Sequence, residues 1–474
     1  MKRKTIVAVY IVVVLVILSA CVPPIRMAGG DHLAVITPAG INPALPQSNS
    51  VVFYHCTARG CDLRLVDPAT GTTLPAYAPV PLNAAIFSYS PDRRTLAVID
   101  YGKNQSMLHG MLKLVDLTQW QVITTTLTFD YVKEPSRFTP DGKAFLVTLA
   151  NSSWPPSTKL QRVDLERLQV VAEQSLAFSV RQLHFSDDGS RLYLYGIDGS
   201  PDFTVNPQAH VAIVNSKTLQ SEWNAPLPDL RDGFYNPDTT ANPHADFEHT
   251  VLWEPATVFA PDGARLYIVH ADANRLTTVN FADHAIKTNA ITQPQSWLER
   301  LLTLTARPVE AKVFNGISKQ AAIAPDGKRL YVVAWERSFH ENQYQEIPHG
   351  LQVIDLARQT EIAHIESAAA SVSVAPDGKQ LYLHCCVNTA AQPYPQEWTD
   401  VLSAADWRPL ARLEQRAITL GQRLDGAPIL LASTFRQDGQ WEAAALDPQS
   451  LHLIHAWTQA EQDGWGWFVT PETR

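Results

Sequence analysis

The sequence predicts an all-β protein, a β-propeller of eight four-stranded blades, and three observations predict it. A short turn phrase recurs seven times, as SPDR at 90–93, TPDG at 139–142, SDDG at 186–189, APDG at 260–263, 324–327 and 375–378, and a worn RLDG at 423–426. Its aspartates, Asp92, Asp141, Asp188, Asp262, Asp326, Asp377 and Asp425, fall mostly 47 to 51 residues apart, the period of a four-stranded blade. A second phrase follows each turn at a variable distance, and the two ends of the chain together supply the strands of one further blade.

Each element has a local cause. In APDGKRLYVVA (324–334), Pro325 presets φ for a turn position, Asp326 can bond neighbouring backbone and Gly327 supplies a left-handed conformation at little steric cost. Short apolar runs such as TVFA (257–260) and SVSVA (371–375) precede the turns, and β-rich runs such as RLYIV (265–269) and QLYLH (380–384) follow them. These are the first two strands of a blade. The second phrase ends at Trp120, Leu168, Leu219, His284, Gln359, Trp407 and Leu451, and reads as a third strand with its exit turn. A further alternating run, such as TEIAHIE (360–366), completes four strands per repeat.

With both phrases in place the chain resembles the YVTN type of β-propeller, whose repeats combine a PDG-x-x-LYV stretch with a VID stretch. Near the N-terminus, SVVFYHC (50–56), DLRLVDPATG (62–71) and TLPAYAPV (73–80) supply three strands with no turn phrase before them, and WGWFVTPETR (465–474) offers the missing inner strand. Joining the two pieces gives the eighth blade and removes exposed sheet edges. Seven blades, the commoner number in the resembling family, is the alternative if the last repeat has decayed.

The N-terminus predicts an address. Lys2, Arg3 and Lys4 precede an apolar run from Thr5 to Leu18, and Leu18-Ser19-Ala20-Cys21 follows, the plan of a secretory signal. It also resembles a bacterial lipobox, which implies a lipid on Cys21 and an envelope-anchored lipoprotein. An uncleaved membrane anchor is the rival. The expected organisation is therefore a signal peptide over 1–20, a tether over 21–49 rich in Pro, Ala, Gly and Asn, and one propeller domain over 50–474. Loss of the three leading cations changes the net charge from −9 to −12, which argues against a nucleic-acid partner. An exported chain makes Cys56, Cys61, Cys385 and Cys386 disulfide candidates. Cys56 and Cys61 flank a four-residue turn, whereas the adjacent Cys385 and Cys386 either form a vicinal bridge or stay as two thiols.

Connections after strands one and three share one end of a blade, and those after strands two and four share the other. Every long insertion falls at the second end: 100–110, 151–158, 198–209, 335–350 and 387–398 within blades, and 226–254 and 292–318 between them. Binding residues concentrate on loops presented by a rigid scaffold, so that end is the expected binding surface. Trp335, His340, Tyr344 and Trp398 are its candidate contacts for a protein or glycan. Arg137 and His184 break a column of small or apolar residues on the inner strands and are candidates for holding an anionic ligand. His244, Asp246 and His249 crowd together and are a candidate divalent-metal site, although their spacing matches no established motif. SWLERLLTL (296–304) reads as one short helix.

No G-x-S-x-G elbow, Walker loop or H-E-x-x-H occurs. The expected function is a monomeric, membrane-anchored, extracytoplasmic propeller that binds a partner or ligand without turning it over. A propeller lactonase and a quinoprotein dehydrogenase are the enzyme alternatives, the second because some of those eight-bladed enzymes carry a vicinal disulfide beside the quinone.

Overall fold

The described strands form eight sheets, each containing four consecutive antiparallel strands. The computed structural model describes residues 50–57, 60–74, 77–102, 109–117, 119–150, 157–198, 206–235, 251–292, 314–340, 343–387, 396–414, 418–422, 428–435, 440–460 and 465–468, and no helix occurs among them. The architecture is an eight-bladed β-propeller. Blade 1 holds Ala84–Tyr89, Thr95–Asp100, His109–Asp116 and Gln121–Asp130; blade 2 holds Val132–Phe138, Ala144–Ala150, Thr158–Asp164 and Gln169–Leu176. Blade 3 holds Ser179–Phe185, Arg191–Ile197, Ala209–Asn215 and Ser221–Leu227; blade 4 holds Ala256–Phe259, Arg265–Val269, Arg275–Asn280 and Ala285–Ala290. Blade 5 holds Phe314–Ile323, Arg329–His340, Gln343–Asp355 and Thr360–Ile365; blade 6 holds Ala369–Val374, Gln380–Val387, Gln396–Ser403 and Pro409–Glu414. Blade 7 holds Ile418–Gln422, Pro428–Phe435, Gln440–Leu446 and Leu453–Ala460.

Blade 8 joins the two ends of the chain. Trp465–Phe468 pairs with Val51–Thr57, placing Phe468 opposite Phe53 and Trp465 opposite Cys56. Gly60–Asp67 follows as the third strand, and the fourth is split into Thr72–Thr73 and Val80–Pro81. The count is eight and not seven.

The recurring turn phrase forms the same turn in six blades. The N–H of its fourth residue bonds back to the carbonyl of its first at 2.8 to 2.9 Å, and the aspartate Oδ1 accepts the N–H two residues further on at 3.0 to 3.1 Å. Where the first residue is Ser90, Thr139 or Ser186, its hydroxyl also donates to that aspartate at 2.6 Å. The glycine adopts φ near 70° at Gly142, Gly189, Gly327 and Gly378, and a Cβ there would meet the turn proline of the preceding repeat, as Gly189 meets Pro140 at 3.3 Å and Gly378 meets Pro325 at 3.4 Å. The proline and the glycine thus seat one blade on the next. In blades 1 to 7 the third-to-fourth turn ends in a non-glycine residue with positive φ: Trp120, Leu168, Leu219, His284, Gln359, Trp407 and Leu451, between 51° and 62°. These are the seven residues at which the second phrase ends.

The described residues divide into two compact units, 231–415 with blades 4, 5 and 6, and the remainder with the other five. In the five-blade unit, Phe53, Val66, Ile429 and Leu431 join blades 8 and 7, and Tyr54, Leu63, Phe87 and Val98 join blades 8 and 1. Ile99, Phe138 and Phe145 join blades 1 and 2, and Leu160, Phe178 and Leu194 join blades 2 and 3. In the three-blade unit, Tyr267, Val269, Leu330 and Val332 join blades 4 and 5, and Tyr331, Val333, Leu381 and Leu383 join blades 5 and 6. Facing sheets exclude water from both sides of each central strand, which is why these strands read as continuous apolar runs.

Two sequence expectations are corrected within the three-blade unit. The stretch 335–350 is not a loop: the second and third strands of blade 5 run on through it and are separated only by residues 341–342. The stretch 226–254 contains two strands, Gly233–Tyr235 and Val251–Glu254, and the second pairs in parallel with Asn315–Ser318 of blade 5. The expected helix over 296–304, the signal peptide and the tether lie outside the described residues.

Candidate functional site

Every first-to-second connection spans five residues and every third-to-fourth connection four to six, whereas the connections at the other end range from one residue to 28. The two half-buried lysines with displaced protonation, Lys133 and Lys319, stand on the inner strands, one in each unit.

In the five-blade unit the lysine and its neighbours stand where blades 2 and 3 begin. Thr158 ties them together, donating its N–H to Phe178 O at 3.1 Å and accepting the Val180 N–H at Oγ1 at 2.9 Å. Gly196 lets the entering backbone come close, since a Cβ there would lie 2.2 Å from Ser179 O. Lys133, at the start of the inner strand of blade 2, donates to Ser179 Oγ at 2.8 Å. Burial, and then the charge of Arg181, pull the Lys133 ammonium down to about 8. Both inner strands bulge here, between the pairs of Leu146 and Thr148 in blade 2 and at Arg181 in blade 3, and bulges re-aim side chains. In blade 2, Ser136 closes the bulge, donating to Lys133 O and accepting the Thr148 N–H, both at 2.9 Å. Glu134, next in sequence, bears on the Tyr101 phenol.

In the three-blade unit a polar network links blades 4 and 5. Asp272 lies 3.5 Å from Arg231, 3.6 Å from Arg275 and 3.6 Å from His270 Nδ1. His270 is fully buried, and its Nε2 meets Thr277 Oγ1 at 2.7 Å, which in turn meets Thr288 Oγ1 at 2.7 Å. Burial, and then Arg275, lower His270 to about 4, so the ring is neutral at ordinary pH. Lys319 on the inner strand of blade 5 is lowered to about 8 by burial, with Asp272 and Glu361 acting in the opposite sense. Glu361 accepts from Gln352 at 2.5 Å. Thr277 is 2% exposed and His270 fully buried, so this hydroxyl–imidazole–carboxylate line lies inside blade 4 and ties its second, third and fourth strands together.

The candidate residues from the sequence fare unevenly. Arg137 and His184 occupy equivalent positions, opposite Leu146 and Tyr193. Both are half-buried and lie one residue from the strand end that leads into the five-residue turn, three or four residues away from Arg181 and Lys133. Trp335, expected as an exposed contact, is a core residue at 6% exposure, packed with Leu351, Ala369 and Cys385. It falls on a strand face, and not in a loop, because the strand continues past it. Trp398 is half-buried; its indole N–H donates to Asp400 at 3.1 Å, and Arg412, which holds Asp400 at 2.6 and 3.0 Å, lies 5.1 Å over its ring. The backbones of His340 and Tyr344 pair with Gln343 and Phe339; their side chains lie outside the described residues. His244, Asp246, His249 and Cys21 also lie outside them. Among the described residues no group of three or more His, Cys, Asp and Glu could hold a metal.

Cys56 and Cys61 form a disulfide across the first hairpin of blade 8, with Cα atoms 4.0 Å apart. Cys385 is a free, fully buried thiol, raised to about 12 by burial, whereas Cys386 is disulfide-bonded, so the adjacent pair is neither a vicinal bridge nor two thiols. Sequence reasoning missed Ser179, His270, Asp272 and Glu361. The only signal for the middle pair was the HADAN connection at 270–274, passed over because it is among the shorter ones at its end.

No protein-family model matches the chain, and no curated protein matches it. Solved structures do. A eukaryotic initiation factor is similar over 93% of this chain and 90% of its own, with 10% identity and a TM-score of 0.51. The dihydro-heme d1 dehydrogenase NirN, in complex with DHE, is similar over 90% of this chain and 78% of its own, with 14% identity and a TM-score of 0.49. The periplasmic gluconolactonase PpgL of Pseudomonas aeruginosa covers 89% of this chain and 99% of its own, with 13% identity and a TM-score of 0.41. At such identities a likeness speaks for the fold alone.

Proposed function

We propose that the protein is an extracytoplasmic propeller, held at a membrane by a lipid on Cys21, that binds a protein or glycan partner through the variable ends of its blades. The observation that carries this reading is the contrast between the two blade ends. One end is built from a repeated turn whose every residue has a structural task. The other varies in length without limit from the packing, and Lys133, whose burial stability alone would not favour, stands at it. The protein acts as a monomer, and its acidic balance disfavours nucleic acid. The quinoprotein alternative rested on a Cys385–Cys386 bridge, which the free Cys385 thiol removes.

The test is site-specific photo-crosslinking in intact cells, with the photoreactive residue placed at 203 or 391, in variable connections, or at Lys328 or Lys379, in the repeated turns. The expected result is one common crosslinked species from the first pair only. Crosslinks from the turn positions, or from none of the four, overturn the reading. In the same cells Cys21→Ser is expected to abolish incorporation of a labelled fatty acid; retained label removes the anchor.

A further inference from the structure

We infer that Lys133, Ser179 and Arg181 form a receptor for an oxyanion, the carboxylate or phosphate of a small ligand or of a partner's side chain, at the junction of blades 2 and 3. The inference deepens the binding reading above, on which it rests for the side of approach.

Three observations carry it. The first is charge without a counter-charge. Lys133 is mostly buried, and among the described residues its one hydrogen bond goes to the neutral Ser179 hydroxyl and its one charged neighbour is the like-charged Arg181. The comparison with Lys319 is instructive, because that equally buried ammonium has Asp272 and Glu361 beside it. A buried cation ordinarily acquires a carboxylate or is replaced by an apolar side chain. Among the described residues Lys133 has no carboxylate beside it, and they take up one of its three N–H donors.

The second observation is that the site is pre-formed. Thr158 bonds both Phe178 and Val180, and Ser136 bonds both sides of the blade 2 bulge. Gly196 holds the strand carrying Ser179 at a distance that no other residue would permit. These contacts fix the hydroxyl and the ammonium before any ligand arrives, which lowers the ordering cost of binding. The third is direction: the Arg181 bulge lies two residues from Ser179, at the variable end of the blade. The Lys133 ammonium supplies the point charge that carboxylate and phosphate oxygens pair with, and the Arg181 charge beside it adds to the positive potential there.

The experiment is titration of the whole ectodomain with inorganic phosphate and, separately, with acetate, followed by calorimetry and thermal unfolding, with chloride at matched ionic strength as reference. Saturable binding of either probe and a rise in unfolding temperature beyond the chloride reference are expected. Phosphate binding the tighter assigns a phosphoryl ligand, and acetate the tighter a carboxylate. Lys133→Met and Arg181→Gln are each expected to weaken binding about 10-fold to 100-fold, whereas Lys328→Met, which removes an exposed cation from a repeated turn, leaves it unchanged. Lys133→Met removes a buried charge and is expected to fold at least as well as the parent. Two results overturn the inference: no response to either probe beyond chloride, or an undiminished response in Lys133→Met. Either one leaves the crosslinking result standing, so the two readings fail separately.

Discussion

Lys133 shows at the scale of one residue how a stability measurement can report a functional compromise. Its folded pKa is lowered to about 8 from 10.5, so between those values the unfolded chain binds more protons and stability rises with pH. The penalty is fully present below about pH 8, and it vanishes above 10.5 where both states carry a neutral amine. Lys133→Met should therefore stabilise the protein at pH 7 by on the order of 3 kcal/mol at most, with the gain shrinking as pH rises through that window. Denaturant unfolding at pH 7 and pH 10.5 checks it; an equal gain at both would mean that shape, and not charge, is what the methionine improves. The grouping of Lys133 with Ser179 and Arg181 is not legible in the sequence, because both stand on the next blade and local pattern carries no record of such neighbours.

At the scale of the element, what could be read was whatever repeats. The PDG turn announces its own chemistry, and the structure adds only that its glycine is pressed against the proline one repeat earlier. Trp335 was misplaced for the opposite reason. Blade 5 alone extends its strands through Arg329–His340 and Gln343–Asp355, so a reading calibrated on the other blades took the extension for a loop. Glycines outside the motif carry information that spacing cannot. A Cβ on Gly196 would lie 2.2 Å from Ser179 O and 2.7 Å from Phe178 Cδ2, whereas one on Gly102, at φ 67°, would meet nothing within 4 Å. Gly196→Ala is expected to cost about 3 kcal/mol through overpacking of the blade 2 and blade 3 junction, and Gly102→Ala about 1 kcal/mol through backbone conformation alone. Thermal unfolding of the two variants separates them, and a Gly196→Ala protein as stable as Gly102→Ala would show that the junction can yield.

At the scale of the whole molecule, stability depends on how neighbouring blades share their cores, and the blade built from both ends of the chain is where that dependence can be tested. Val51–Thr57 is the second strand of blade 8, its side chains Val51, Phe53 and Tyr54 are almost fully buried, and Trp465–Phe468 supplies the only strand on its inner edge. Removing residues 465–474 would leave that edge with unpaired N–H and C=O groups and with no covering strand. The disulfide offers little compensation, because Cys56–Cys61 closes a short loop on the other side of the same strand. In a repeat array a lost edge destabilises first the units that touch it. The truncated protein is therefore expected to lose hydrogen-exchange protection in blade 8 and in blade 7, whose Ile429 and Leu431 pack on Val51 and Phe53, before blades 2 and 3 change. A synthetic peptide covering 465–474, added in trans, should restore protection in both. Protection lost evenly across all eight blades would mean that the propeller unfolds as one cooperative body, and undiminished protection would mean that the terminal strand contributes nothing to holding blade 8 together.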